Sequence, residues 1–196
     1  MMFIKDEEFI RGKCPMTKED IRILSIAKLN LQRDSKVLDI GSGTGSMTVQ
    51  SSKFCNEGIV YSIERDEDAI DTTLRNLDKF KCNNVEFLQG DAIGFLNGFI
   101  KSEKFLEWFD SIFIGGSGGD LDEIIHCCHR LLKDKGTIVL NFITLDNAYK
   151  AIEVLNGLNY KVDITLANIS KNREHTYMMI SNNPIFILQG IKEEEH

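Results

Sequence analysis

A short apolar run ending in three glycines at alternate positions, Lys36-Val-Leu-Asp-Ile-Gly-Ser-Gly-Thr-Gly45, constrains this chain more than any other segment. Gly41, Gly43 and Gly45 make a turn without side-chain bulk, so a ligand can lie against bare backbone. The helix expected next, Ser46 to about Phe54, aims its first N–H groups and positive dipole end at that ligand. Spacing then separates ligand classes. A nicotinamide dinucleotide fold asks for Gly-x-Gly-x-x-Gly, which would put the third glycine at position 46, where Ser46 stands.

Two further strand ends carry acids. The run Gly58-Ile-Val-Tyr-Ser-Ile63 ends in Glu64, about twenty residues past the glycine loop, where a carboxylate can accept from both ribose hydroxyls. The run Val85-Glu-Phe-Leu-Gln89 is closed by Gly90-Asp91-Ala92, which places a carboxylate to accept from an adenine amino group or to cap the next helix. Gly-x-Gly-x-Gly with an acid, Asp39, two residues before its first glycine resembles the loop of the class I S-adenosylmethionine-dependent methyltransferases. That resemblance implies S-adenosylmethionine as cofactor, held by Gly41, Ser42, Gly43, Thr44, Gly45, Glu64, Asp91 and Ala92.

Strands near 36–40, 59–63, 85–89, 110–114 and 136–142 alternate with helical stretches, which predicts an α/β, Rossmann-like fold with a mostly parallel sheet. Ligands in such sheets bind beyond the carboxyl ends of the strands, where Gly41, Glu64, Asp91 and Gly115 would converge. After a helix at about Asp146 to Leu155, two extended segments, Lys161 to Ile169 and His175 to Leu188, suggest an antiparallel hairpin completing seven strands. The second is interrupted at Asn182-Asn-Pro184, and Pro184 needs an edge or bulge. Ahead of the first strand, Thr17-Lys-Glu-Asp20 has the form of a capping box, and Thr17 could also offer its hydroxyl to the ligand. One domain over 1–190 with a polar tail at 191–196 is expected.

With 196 residues and 42% apolar content the chain suits one full core. A formal net charge of -7 disfavours long nucleic acid as partner, and no run approaches the ~20 apolar residues of a membrane span, so a soluble cytoplasmic protein is expected. Five cysteines without a Cys-x-x-Cys pair read as reduced thiols. His126 and His129 share a helix face but fall on the polar side of the stripe Leu121, Ile124, Ile125, Cys128, Leu131 and Leu132, so they are expected to be solvated and no metal is assigned.

Three segments together, Arg11-Gly-Lys-Cys-Pro-Met-Thr-Lys-Glu19, the glycine loop, and Ile112-Phe-Ile-Gly-Gly-Ser-Gly-Gly119, resemble the cobalamin-pathway C15-methyltransferases that also decarboxylate their precorrin substrate. Cys14 replaces the small aliphatic residue expected before that proline. The resemblance implies methyl transfer to C15 of a precorrin or cobalt-precorrin with loss of carbon dioxide from the acetate on ring C. It also implies a homo-oligomer, usually a tetramer, and raises a separate C5-methyltransferase as partner. Gly115, Gly116 and Ser117 would form the substrate loop, where Gly118 and Gly119 add room for a flat macrocycle and no general base is offered. Arg11, Lys13, Lys171 and Arg173 are the cations available for a substrate rich in carboxylates. The rival readings are a tRNA adenine N1-methyltransferase, which normally carries an acid after the fourth strand and an added RNA-binding region, and a non-catalytic S-adenosylmethionine-binding protein.

Overall fold

The computed structural model describes residues 3–116, 119–173 and 176–194. Five parallel strands, β1 (Lys36–Ile40), β2 (Ile59–Glu64), β3 (Val85–Gln89), β4 (Phe109–Ile114) and β5 (Leu132–Phe142), are joined by helical crossovers. The remaining short and long strands are β6 (Tyr160–Ala167), β7 (Ser170–Asn172), β8 (Met179–Ser181) and β9 (Ile185–Lys192). The seven-stranded sheet runs β3-β2-β1-β4-β5-β9-β6, with β9 antiparallel to both neighbours. Strand order reverses between β1 and β4, the place where such sheets open a crevice for ligand. This is the class I methyltransferase architecture expected above.

Alternation along the central strands sorts the core into two layers. Ile112, Ile114, Ile138 and Leu140 pack with α4 (Ala92–Lys101), α5 (Leu121–Leu131) and α6 (Leu145–Gly157). Phe113, Val139 and Ile187 face the other way, onto α1 (Glu19–Lys28) and Met47 of α2 (Ser46–Phe54). A third helix on that side, α3 (Glu67–Lys79), starts with Asp66 accepting from the Ala69 amide at 2.9 Å.

Several local expectations change. Lys18, not Thr17, is the N-cap of α1; its backbone is extended and makes no side-chain cap, so the Thr17 hydroxyl falls one residue short of the capping position. β5 begins at Leu132, directly after α5 and four residues before the expected start, and Lys133 at that point pairs with Asp110. The second extended segment splits: β8 pairs only with β7 in a separate two-stranded hairpin, and β9 returns to the large sheet. Asn182 marks the break, its amide donating to the Ile169 carbonyl at 2.9 Å, and Pro184 sits in the unpaired step that follows. His175, the expected start of that segment, lies outside the described residues.

The polar tail expected from 191 also starts too early. Ile191 and Lys192 belong to β9, and buried Lys192 donates to the carbonyls of Leu132 at 3.1 Å and His129 at 3.3 Å, with Asp134 at 3.4 Å. Those acceptors and that acid make a buried lysine tolerable where the sequence suggests solvent. His126 is exposed beside Asp122, but His129 is half-buried with its ring 5.7 Å from Tyr160, because the short step from α5 into β5 brings β6 against it.

Candidate active site

A cavity of about 760 Å³ opens where β1 to β5 end. Its floor is Gly41, Ser42 and Gly43 with Gly115 and Gly116; one side holds Glu64, Arg65, Asp66, Asp91 and Ala92, and the other Asn141, Phe142, Ile143 and Ile185. The segment Lys13 to Lys18 crosses it from outside the sheet. Gly41, Glu64, Asp91 and Gly115 thus meet in one place, as the strand ends require.

The glycines answer to a different neighbour than expected. All three hold φ between 58° and 76°, in the left-handed region. A side-chain carbon at Gly41 would lie 2.9 Å from the Gly116 nitrogen, and one at Gly43 would lie 2.8 Å from the Pro15 carbonyl oxygen. The bare backbone is therefore needed first by the protein's own loops. Thr44 and Gly45, expected among the cofactor contacts, do not line the cavity. Thr44 is fully buried and its carbonyl accepts from Asn76 at 2.8 Å, while Gly45 abuts Thr73. Gly116 lacks a positive φ, and a side chain there would meet open space.

Glu64 does more than await a ligand. One carboxylate oxygen accepts from the Gly43 amide at 2.8 Å, and the other accepts from the amides of Arg65 at 2.8 Å and Asp66 at 3.0 Å. Asp91 caps α4, accepting from Gly94 at 3.1 Å, with the Arg65 guanidinium 3.9 Å from its other oxygen. Both remain on the cavity wall with unfilled acceptor capacity. Beneath the loop, Asp39 is 1% exposed and accepts from the Thr48 hydroxyl; its other oxygen has no partner among the described residues.

Burial pushes the Asp39 carboxyl up to about 7, against the Thr48 hydrogen bond and helped by the nearby Glu64 charge. Its folded pKa then lies above its unfolded one, so the folded state holds the proton more tightly. The associated stability is fully present below about pH 4 and is lost as pH rises through about 7, with a ceiling of about 4 kcal/mol. Asp39→Asn is expected to raise the melting temperature at pH 8 and leave it nearly unchanged at pH 4. Equal effects at both values would show that Asp39 is already ionised in the fold.

The crossing strap depends on a residue the sequence reading passed over. Arg22 is fully buried in α1 and donates to the Ile4 carbonyl, to the Thr17 carbonyl at 2.7 Å and to Asp6 at 3.1 Å, while its guanidinium lies 4.7 Å from the Phe9 ring centre. Asn76 adds a second tie, accepting from the Ile10 amide and donating to the carbonyls of Ile10 and Thr44. Strap and glycine loop are thereby fixed to one side chain. In sequence Arg22 looks like any solvated helical arginine, and only the apolar Ile21 and Ile26 flanking it hint at the buried face.

The other expected site residues divide. Thr17 and Lys13 line the cavity, with Lys13 3.5 Å from Asp68. Arg11 is exposed and away from the wall; Lys171 pairs with Asp20, itself a wall residue, and Arg173 stands on the exposed hairpin. Gly119 is exposed with φ 110°, while Ser117 and Gly118 lie outside the described residues. Lys18, Arg65 and Asn141 line the cavity without having been singled out; Asn141 at the end of an expected strand was the most legible.

A family model described as the precorrin methyltransferase domain matches residues 8–175. The chain is 45% identical over 193 residues to a probable cobalt-precorrin-6B C(15)-methyltransferase (decarboxylating) of Sulfurisphaera tokodaii, covering 96% of this chain and 97% of the relative. Among solved structures it is similar to a precorrin-6y C5,15-methyltransferase of Geobacter metallireducens, with TM-score 0.89, 35% identity and 98% of each chain covered. It is also similar to a precorrin 8W decarboxylase of Methanobacterium thermoautotrophicum, with TM-score 0.86, 32% identity and coverage of 95% of this chain and 98% of that one. A left-handed glycine loop beneath a carboxylate at the second strand end, together with a match over most of the chain, places this protein in the precorrin methyltransferase family.

Proposed function

We propose that this chain transfers a methyl group from S-adenosylmethionine to C15 of a precorrin or cobalt-precorrin and releases carbon dioxide from the ring C acetate of that substrate. The observation that carries this reading is a single cavity with an acid-bearing half at Glu64 and Asp91 and a half walled by glycine, amide and apolar residues at Gly115, Gly116, Asn141 and Ile143. The first half fits an adenosine-type donor: Glu64 and Asp91 keep acceptor capacity for hydroxyls and an amino group, and Gly41 to Gly43 keep the floor free of bulk. Bound there, S-adenosylmethionine supplies an electrophilic methyl group. Glu64 and Asp91 fix its orientation, the strap from Lys13 to Lys18 excludes water, and Gly116 leaves open space for a flat acceptor. An electron-rich ring carbon needs no strong base, which suits a floor of Gly115 and Gly116, neither of which carries one.

The substrate's carboxylates call for cations. Lys13, Lys18 and Arg65 supply them on the wall, and Lys171 at the rim can exchange its Asp20 partner for a substrate carboxylate. A homo-oligomer, with a tetramer as the expected form, accords with the hairpin's Tyr177, Met178, Met179 and Ile180, all exposed in a single copy. No described helix is long and apolar enough to cross a membrane.

Mass decides the reaction. Incubation with S-adenosylmethionine and precursor is expected to shift the substrate by about -30 Da, the sum of about +14 for methyl and about -44 for carbon dioxide, because the protein positions both events without adding atoms of its own. An unshifted precursor, alongside methylation of unmodified tRNA, would overturn the proposal in favour of the tRNA reading.

A further inference from the structure

Resting on that reading, we propose that Asn141, held by Ser25, seats the acetate whose carboxylate leaves as carbon dioxide, with Asn182 and Asn183 lining the same cavity, so that decarboxylation is set by uncharged amides and not by a cation. Asn141 follows Leu140, which is in register with Ile114 of β4, so Asn141 lies one strand spacing, ~4.8 Å, from Gly115. C15 is the bridge carbon beside ring C, and the acetate is a substituent of that ring. A substrate whose C15 reaches the glycine floor therefore brings its acetate to the neighbouring strand end.

The amide there is fixed. Its Nδ2 donates to Ser25 Oγ at 2.9 Å, and Oδ1 lies 3.3 Å from the same hydroxyl. Ser25 is fully buried in α1, in contact across 116 residues of sequence, and one Asn141 N–H remains for a ligand. Of the cavity residues contributed by the end of β5 and the stretch leading into β9, Phe142, Ile143, Asn182, Asn183 and Ile185 are all uncharged, while Lys18 and Asp20 enter the cavity from the start of α1.

That composition suits the chemistry of the leaving group. A carboxylate paired with a lysine is stabilised most before reaction and less as its charge moves away, which raises the barrier; an amide in an apolar wall orients it with less of that penalty. In the step itself the bond between the acetate methylene and its carboxylate carbon breaks. The electron pair passes into the conjugated macrocycle, made electron-poor by the incoming methyl cation equivalent, and carbon dioxide departs. The methylene left behind takes one proton from water and becomes a methyl group, while the methylated macrocycle releases one proton to solvent, so the net change stays at about -30 Da.

Asn141→Leu keeps the volume and removes the donor. The ratio of fully processed product (about -30 Da) to methylated, undecarboxylated product (about +14 Da) is expected to fall at least about tenfold, the effect of losing one hydrogen bond to a charged group. S-adenosylhomocysteine affinity, measured by calorimetry, should stay within about threefold and reports a folded protein. Ser25→Ala, a positioning change, should lower the ratio less, and the double variant should be no worse than Asn141→Leu, since Ser25 acts through that amide. An unchanged ratio, or Ser25→Ala adding its full effect on top of Asn141→Leu, overturns the assignment. A wild-type protein that makes neither product overturns the underlying reading as well.

Discussion

Replacing Arg22 with methionine is expected to free the strap over the cavity and to weaken S-adenosylhomocysteine binding at least about tenfold. The side chain is fully buried, and burial pulls its pKa below the usual arginine value while Asp6 pushes it back up. Methionine can keep the contact with Phe9 but leaves the carbonyls of Ile4 and Thr17 and the Asp6 carboxylate without their donor. Removing one member of a buried charged pair costs about 3–5 kcal/mol. The strap need not drag the domain down with it: besides Arg22 it is held by buried Phe9 and Met16, the Ile10–Asn76 bonds and hydrogen bonds to Gln50, Ser46 and Lys79, but residues 4–17 contribute nothing to the two core clusters on the faces of the central sheet. Local undocking therefore absorbs the cost before global unfolding does. Limited proteolysis should cut within 4–17 in the variant and not in the parent, while the melting temperature moves only a few degrees. Arg22→Lys should rescue partly, since one ammonium cannot span three acceptors that a guanidinium reaches at once. A protease-resistant Arg22→Met protein with parental affinity would show that the strap is held by something else.

What could be read in advance follows from the range of the interactions. β3 and α2 occupy 85–89 and 46–54 as expected, because a short β-branched and aromatic run closed by Gly90 and a helix opened by a glycine turn carry their signals within ten residues. The C-terminal third was harder for a physical reason. Met179–Ser181 and Ile185–Lys192 are both extended and apolar, and only pairing across the sheet decides that one joins β7 and the other slides between β5 and β6. The same holds for side chains. Glu64 and Asp91 were legible because strand ends converge, whereas Arg22 and Asn76 act on partners 18 and 66 residues away through groups that look solvated in sequence. The glycine loop was right in form but incomplete in cause, since Gly41 and Gly43 are required by Gly116 and Pro15 before any ligand arrives.

Glu64→Ala is expected to cost at least about a hundredfold in S-adenosylhomocysteine affinity, more than the loss of a ribose contact alone. A charge-assisted hydrogen bond to one hydroxyl is worth about 1.5–3 kcal/mol, which on its own gives roughly ten- to a hundredfold. This carboxylate also holds the Gly43 amide with one oxygen and those of Arg65 and Asp66 with the other. Alanine therefore loosens the floor of the cavity and the approach to α3 together, and the ligand must reorder both on binding. Glu64→Gln separates charge from shape. Glutamine keeps one acceptor oxygen, but its amide nitrogen must face either Gly43 or the Arg65 and Asp66 pair, donor against donor, so one end of the bridge fails whichever way it turns. Amide hydrogen exchange reads this directly: Gly43, Arg65 and Asp66 should all exchange faster in Glu64→Ala, but only one side of the bridge in Glu64→Gln. Loss of affinity with exchange unchanged would reduce Glu64 to a ligand contact. Parental affinity in a folded Glu64→Ala protein would remove it from the site, and with it the placing of an adenosine-type donor beside β2.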